Sequence, residues 1–166
     1  MKIRFNLTRF DLFKARTATL IANRPVQIIL MLIAVFCSVS GFTAEAVAGK
    51  SVGYRVLYAG IETLFVIGFG FFCATLLILL QCFTGKGKGV VGEHTLEATD
   101  EGLLETTAYH TLLHRWSGCH KMKQSIGFLW IYVADAGAHI VPLKRPLKEG
   151  DLSLFVDQVR SKVKNA

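Results

Sequence analysis

Two long uncharged runs dominate the hydropathy pattern, Val26 to Ala44 and Thr63 to Phe83, with 18 residues between them. A helix rises about 1.5 Å per residue and a bilayer's hydrocarbon core is about 30 Å thick, so roughly 20 apolar residues cross it. Both runs reach that length. They predict a transmembrane hairpin with spans at about residues 26–48 and 57–83. Small residues recur every four positions at Ser40, Ala44 and Ala48 in the first span, and at Gly70 and Ala74 in the second. Such a stripe lets helix backbones approach closely inside lipid. The short loop from Gly49 to Tyr54 makes the spans antiparallel neighbours, and the same stripe would also suit a homodimer.

Outside the runs the period changes. Ile3-Arg4-Phe5-Asn6-Leu7 alternates apolar and polar, the period of a half-buried strand. Thr8 and Asp11 have the spacing of a capping box at a helix start. The helix should run to about Asn23, with Phe10, Phe13, Thr17 and Leu20 or Ile21 on its apolar face and Pro25 marking its end. It would lie along the membrane surface or pack on the C-terminal region; the strand before it favours the second. Gly85 to Gly89 reads as a linker, and lacks the Gly-Lys-Ser/Thr ending of a phosphate loop.

The C-terminal region reads as short strands closed by a helix. Glu93 to Thr99 alternates, with His94, Leu96 and Ala98 on one side. Asp100-Glu101-Gly102 is a turn with Gly102 free to take positive φ. Leu103 to Ala108 returns, extending toward His114. Ile126 to Val133 and His139 to Leu143 are further strands, with a turn around Asp135 between them. Asp151 can cap a final helix whose Leu152, Phe155, Val156, Val159 and Val163 form one apolar stripe. The expected fold class is α+β. A transmembrane hairpin (25–84) is inserted into a small antiparallel β domain, made of 85–166 and completed by the strand in 1–24.

Charge sets the orientation. The formal net charge is +7. Residues 1–25 hold six basic residues and one acid, whereas the chain from Gly89 onward holds nine of each. The excess therefore flanks the spans, and the C-terminal domain is neutral. A nucleic-acid binder would place a basic face on its folded domain, so nucleic acid is not an expected partner. Basic residues near span ends stay cytoplasmic, which predicts both termini inside. Membrane lipid is an expected partner, since basic flanks also attract anionic headgroups. Ala46-Val47-Ala48 has the form of a signal-peptidase site, but the preceding run exceeds a signal peptide's apolar core. Glu45 and Glu62 fall at the outer span ends, where Lys50 or Arg55 would pair with them.

Chemistry-bearing residues are sparse. The group His110, His114, Cys119 and His120 invites a metal reading, because imidazole and thiolate ligate zinc. It lacks a Cys-x-x-Cys pair, and residues four apart on a strand do not share an ion. Ser117 or Cys119 with His120 would make a nucleophile–base pair, yet neighbours on a strand point to opposite faces. Asp135 with His139 reads as turn chemistry. No catalytic, cofactor-binding or metal-ligating residue is assigned, no cofactor is expected, and an enzyme is not the expected class. Arg115, Trp116, Lys121 and Lys123 form the expected interaction surface.

The order of a short strand and helix, two spans, Gly92-Glu93-His94-Thr95-Leu96, Asp100-Glu101-Gly102-Leu103, a lone Trp116, Phe128-Leu129-Trp130-Ile131-Tyr132 and Ile140-Val141-Pro142-Leu143-Lys144-Arg145 resembles the YcxB-like family of small bacterial membrane proteins. The resemblance covers nearly the whole chain. It implies a cytoplasmic β domain, more distantly similar to pleckstrin-homology-like sheets, with a membrane hairpin inserted, and it implies no catalytic residues. The expected function is non-enzymatic: an inner-membrane protein presenting its β domain to a protein or the membrane surface. Toxin immunity within or at the membrane, and an accessory role in a membrane complex, are the rival expectations.

Overall fold

A computed structural model describes residues 1–84, 90–133 and 137–164. Its elements are β1 (Lys2–Leu7), α1 (Arg9–Ala22), α2 (Arg24–Thr43), α3 (Val52–Phe83), β2 (Gly92–Ala98), β3 (Gly102–Thr107), β4 (Thr111–Arg115), β5 (Cys119–Ser125), β6 (Phe128–Val133), β7 (Gly137–Pro142) and α4 (Leu152–Lys164). The fold is α+β, with two long apolar helices and two antiparallel sheets. It divides into two compact units, Met1–Ala15 with Cys82–Ala166, and Arg16–Gln81. The expected Gly–Lys linker at 85–89 and Asp135 lie outside the described residues.

In the first unit the alternation at the N-terminus becomes a strand. Ile3, Phe5 and Leu7 turn inward, and β1 pairs antiparallel with β2 from Lys2↔Glu97 to Leu7↔Gly92. All three long helices therefore lie, in sequence, between two neighbouring strands. The first sheet has the order β1-β2-β3-β4 and the second β5-β6-β7. The far edge of β1 is bridged by the loop before α4: Arg4 N donates to Glu149 O at 3.0 Å.

The capping box forms as its spacing predicts. Thr8 N donates to Asp11 Oδ2 at 3.0 Å, and Asp11 N donates to Thr8 Oγ1 at 3.2 Å. The buried face of α1 differs from expectation. Leu12 and Ala15 are buried, whereas Phe10 is half exposed. Ala15 packs on Phe128 and Trp130. Arg145 Nε reaches Asp11 at 3.1 Å, so an ion pair as well as packing sets the roll of the helix. A small side chain, rather than the aromatic stripe, faces the sheet because it allows close approach.

Two strand boundaries also differ. The expected run from Leu103 toward His114 breaks at Thr107, whose N–H donates to His110 O at 2.9 Å. Its hydroxyl accepts from the N–H groups of Tyr109 and His110, each at 3.2 Å. The expected strand start at Ile126 is a turn instead. Ile126 (φ 54) and Gly127 (φ 77) are the two loop residues of a hairpin joining β5 to β6. Positive φ at both positions matches the twist of the flanking strands. β5 carries Lys121 and Lys123 on its outer face, while Cys119 and Met122 pack on the core.

Between the sheets lies one apolar core, built from Ile3, Leu96, Leu103, Leu129, Ile131, Val141 and others, all inward-facing by alternation. The stripe on α4 closes it, with Phe155, Val156 and Val159 buried and Leu152 and Val163 packed at its margin. Asp151 caps this helix as expected, accepting from Ser153 N at 2.7 Å and Leu154 N at 3.2 Å.

In the second unit the helix ends shift. α2 stops at Thr43, a 3-10 turn follows at Glu45–Val47, and α3 starts at Val52. Arg55 Nε donates to Phe42 O at 2.8 Å and its guanidinium sits 4.2 Å from the Phe42 ring. A cation thus satisfies an orphan carbonyl at the end of α2. Arg55 goes to that carbonyl rather than to Glu45 or Glu62. The small-residue stripe is not used as expected. Ala44 and Ala48 lie beyond the end of α2, Ser40 is exposed, and a side chain at Gly70 would meet nothing within 4 Å. Ala74, farther along α3, is half-buried. The helices meet at Gly41 instead. A Cβ there would lie 2.9 Å from Ala59 Cα and would collide with the Glu62 carboxylate. Ser38 and Thr63 hydroxyls meet one turn away at 3.1 Å.

Candidate functional site

Four of the chain's five histidines converge on one carboxylate. Alternation places His94 of β2 and Glu105 of β3 on the inner face of the first sheet, alongside Leu96 and Leu103. His114 sits opposite Leu103 in the β3–β4 ladder and so shares that face. His110 lies in the tight turn between the two strands. His139 comes from β7, in the other sheet. Both sheets of the sandwich therefore contribute.

His94 Nδ1 lies 3.0 Å from Glu105 Oε1, and His94 Nε2 lies 3.0 Å from Val90 O. Both partners are acceptors. The ring satisfies both only as an imidazolium, donating from each nitrogen. Phe5 stacks on it at 5.7 Å between ring centroids and fixes its plane. His139 Nδ1 stands 3.4 Å from Glu105 Oε1, and His110 Nε2 stands 3.5 Å from Oε2. His114 meets His139 edge to face at 4.7 Å. Burial by itself would raise the Glu105 carboxyl, but His139 and His94 hold it far below the usual carboxylate range. Burial lowers the proton affinity of His114, and His139 adds to the effect. Neutral His114 thus stands beside an ionised Glu105. A cavity of about 240 Å³ opens against His94, Glu105, His110 and His139, with Phe5, Leu7 and Ile140 among its apolar walls.

Gly102 supports this corner. Its φ is not positive, contrary to expectation. What the position requires is the absence of a side chain, since a Cβ would collide with the carbonyl of His114 across the ladder. Gly102→Ala is expected to force β3 and β4 apart and lower the thermal midpoint by several degrees. An unchanged midpoint in a melting scan would show that the strands part at no cost.

The other residues singled out from sequence disperse. Trp116 is buried in the core, and its Nε1–H donates to Thr99 O at 3.0 Å, so it is not a surface anchor. Arg115 is exposed at the end of β4, while Lys121 and Lys123 are exposed on β5 opposite Tyr132 and Trp130. The four do not form one patch. Cys119 is a core residue whose thiol burial pushes up, and His120 is exposed at the irregularity in β5. Neither joins the histidine cluster. His110 and His114 do, with partners distant in sequence. Glu105 is not singled out by the sequence, and His139 is singled out only beside Asp135, as turn chemistry. The available signal was polar residues at inward-facing positions: His94 beside Leu96 and Ala98, and Glu105 two residues from Leu103.

No family model, no curated protein and no solved structure matches this chain.

Proposed function

We propose that the chain is a bacterial inner-membrane protein, both termini cytoplasmic, whose α2–α3 hairpin anchors a β sandwich that binds a protein or the membrane surface. The carrying observation is the bareness of the two apolar helices. Only 11% of the apolar window of α2 and 0% of that of α3 are buried. The core helix of a soluble fold would be covered. Exposed Ile, Leu and Phe along helices of 20 and 32 residues call for an apolar solvent. The six basic residues of 1–25 support a cytoplasmic N-terminus. Four strands facing three, closed by a C-terminal helix, support the pleckstrin-homology-like reading.

For binding, β4 is the surface of interest. Among the described residues it pairs with β3 alone, and Leu112 and Leu113 are exposed along it with Tyr109 in the turn before it. An open apolar edge is a template for an added strand.

Membranes prepared from expressing cells test the anchor. The chain is expected to stay in the pellet through alkaline carbonate, and a fluorescent reporter at the C-terminus is expected to light up only in the cytoplasm. Extraction by carbonate would overturn the anchor; periplasmic signal would overturn the orientation.

A further inference from the structure

We infer that Glu105, His114 and His139 hold a divalent first-row transition-metal ion. One ligand atom from each of Glu105, His114 and His139 lies within 4.8 Å of the other two. Spacing separates the ligands from their support. Nitrogen and oxygen ligands about 2.0–2.1 Å from a tetrahedral ion stand about 3.3 Å apart. The 3.4 Å from His139 Nδ1 to Glu105 Oε1 matches that edge. It is long for a hydrogen bond, whose nitrogen–oxygen distance centres near 2.9 Å. The 3.0 Å from His94 is a hydrogen bond. His94 is therefore a positioning residue that orients the carboxylate, the usual arrangement around a bound metal.

A second observation is independent of spacing. Nε2 of His114 is buried and has no hydrogen-bond partner among the described residues. Buried polar atoms without partners are rare and ask for a reason. A metal ion gives an imidazole lone pair one.

The scaffold suits the task. The three ligands come from β3, β4 and β7, strands locked by ladders on both sheets, so little ordering remains to be done on binding. His110 is less constrained, at 44% side-chain exposure, and stands where an ion would enter. The donor set selects the ion class. Imidazoles with one carboxylate suit zinc, iron(II), cobalt(II) or nickel, whereas magnesium and calcium take oxygen ligands. The cavity beside the cluster leaves room for a water or a small ligand on the ion.

The test uses the full chain in detergent, stripped with a chelator and titrated with Co²⁺, then with Zn²⁺ in competition. One equivalent of Co²⁺ is expected to give the visible bands of a low-coordinate nitrogen–oxygen site, and Zn²⁺ to abolish them. His114→Gln and His139→Gln are expected to weaken binding by about 100-fold or more. His94→Gln should cost about 10–100-fold, the range for groups that orient a ligand. His120→Gln should leave binding unchanged. Should a ligand variant fail to fold, the wild-type chain still decides the matter: Zn²⁺ should protect His114 and His139, but not His120, from acylation by diethyl pyrocarbonate. No saturable binding by the folded wild-type chain would overturn the inference. So would full binding retained in a folded His114→Gln/His139→Gln double variant, or protection of His120 alone.

Discussion

Replacing Glu105 with leucine is expected to destabilise the metal-free sandwich by about 3–5 kcal/mol, the usual cost of leaving one member of a buried ion pair uncompensated. The carboxylate is nearly covered, and its hydrogen bond to His94 sits among apolar core residues. Without Glu105, the His94 imidazolium loses its counter-charge, and one of its donors loses its partner. Removing both members should recover most of the loss, since an apolar pair of similar volume often replaces a buried ion pair at little cost. Urea denaturation of the single variants and of Glu105→Leu/His94→Leu, all with chelator present, measures the difference as a double-mutant cycle. Equal losses in the single and double variants would show that the pair does not act as a unit.

The same pair predicts a pH dependence. The folded-state affinity of Glu105 for protons is depressed. Below the ordinary carboxylate value of about 4.3 the unfolded chain therefore binds the extra proton, and stability falls with pH. The contribution of Glu105 is present in full above that value and is lost as pH falls toward the folded-state value. Leucine does not titrate, so the gap between wild type and Glu105→Leu should narrow as the pH drops below about 4.3.

Phe155→Ala is expected to cost about 3–5 kcal/mol, the range for emptying a buried aromatic site. Phe155 is 0% exposed and is the largest fully buried side chain of the core. It anchors α4 over both sheets, and the neighbouring strands are held by ladders that limit collapse into the cavity. Leu154, one residue away and 58% exposed, is the control. Its replacement by alanine should change stability by about 0.5 kcal/mol or less, as surface substitutions do. Both variants share the helix and its cap, so the comparison isolates burial. Similar losses in the two would mean that α4 does not close the core.

How much was legible follows the range of the forces involved. The α4 stripe, its Asp151 cap and the Thr8–Asp11 box are local, and each formed where spacing placed it. The turn after Thr107 was missed because its signal is one hydroxyl collecting two N–H groups. The hairpin at Ile126 was missed because a β-branched residue seldom takes positive φ. The roll of α1 went against its aromatic stripe because an ion pair to Arg145 and contact with Trp130 outweighed local pattern. The helix contact at Gly41 could not be told from the Gly70 and Ala74 stripe, since small residues are common along both helices.

The amino-acid sequence by itself determined the two apolar helices, the alternation that faces His94 and Glu105 inward, and the neutral charge of residues 89–166. These follow from periodicity and composition along one stretch of chain. Tertiary structure alone decided that β1 pairs with β2 across three intervening helices, and that His139 of one sheet meets Glu105 and His114 of the other. Alternation selects the face of a strand on which a side chain lies. Only the stacking of the sheets selects which two faces meet, and the histidine cluster exists because of that meeting.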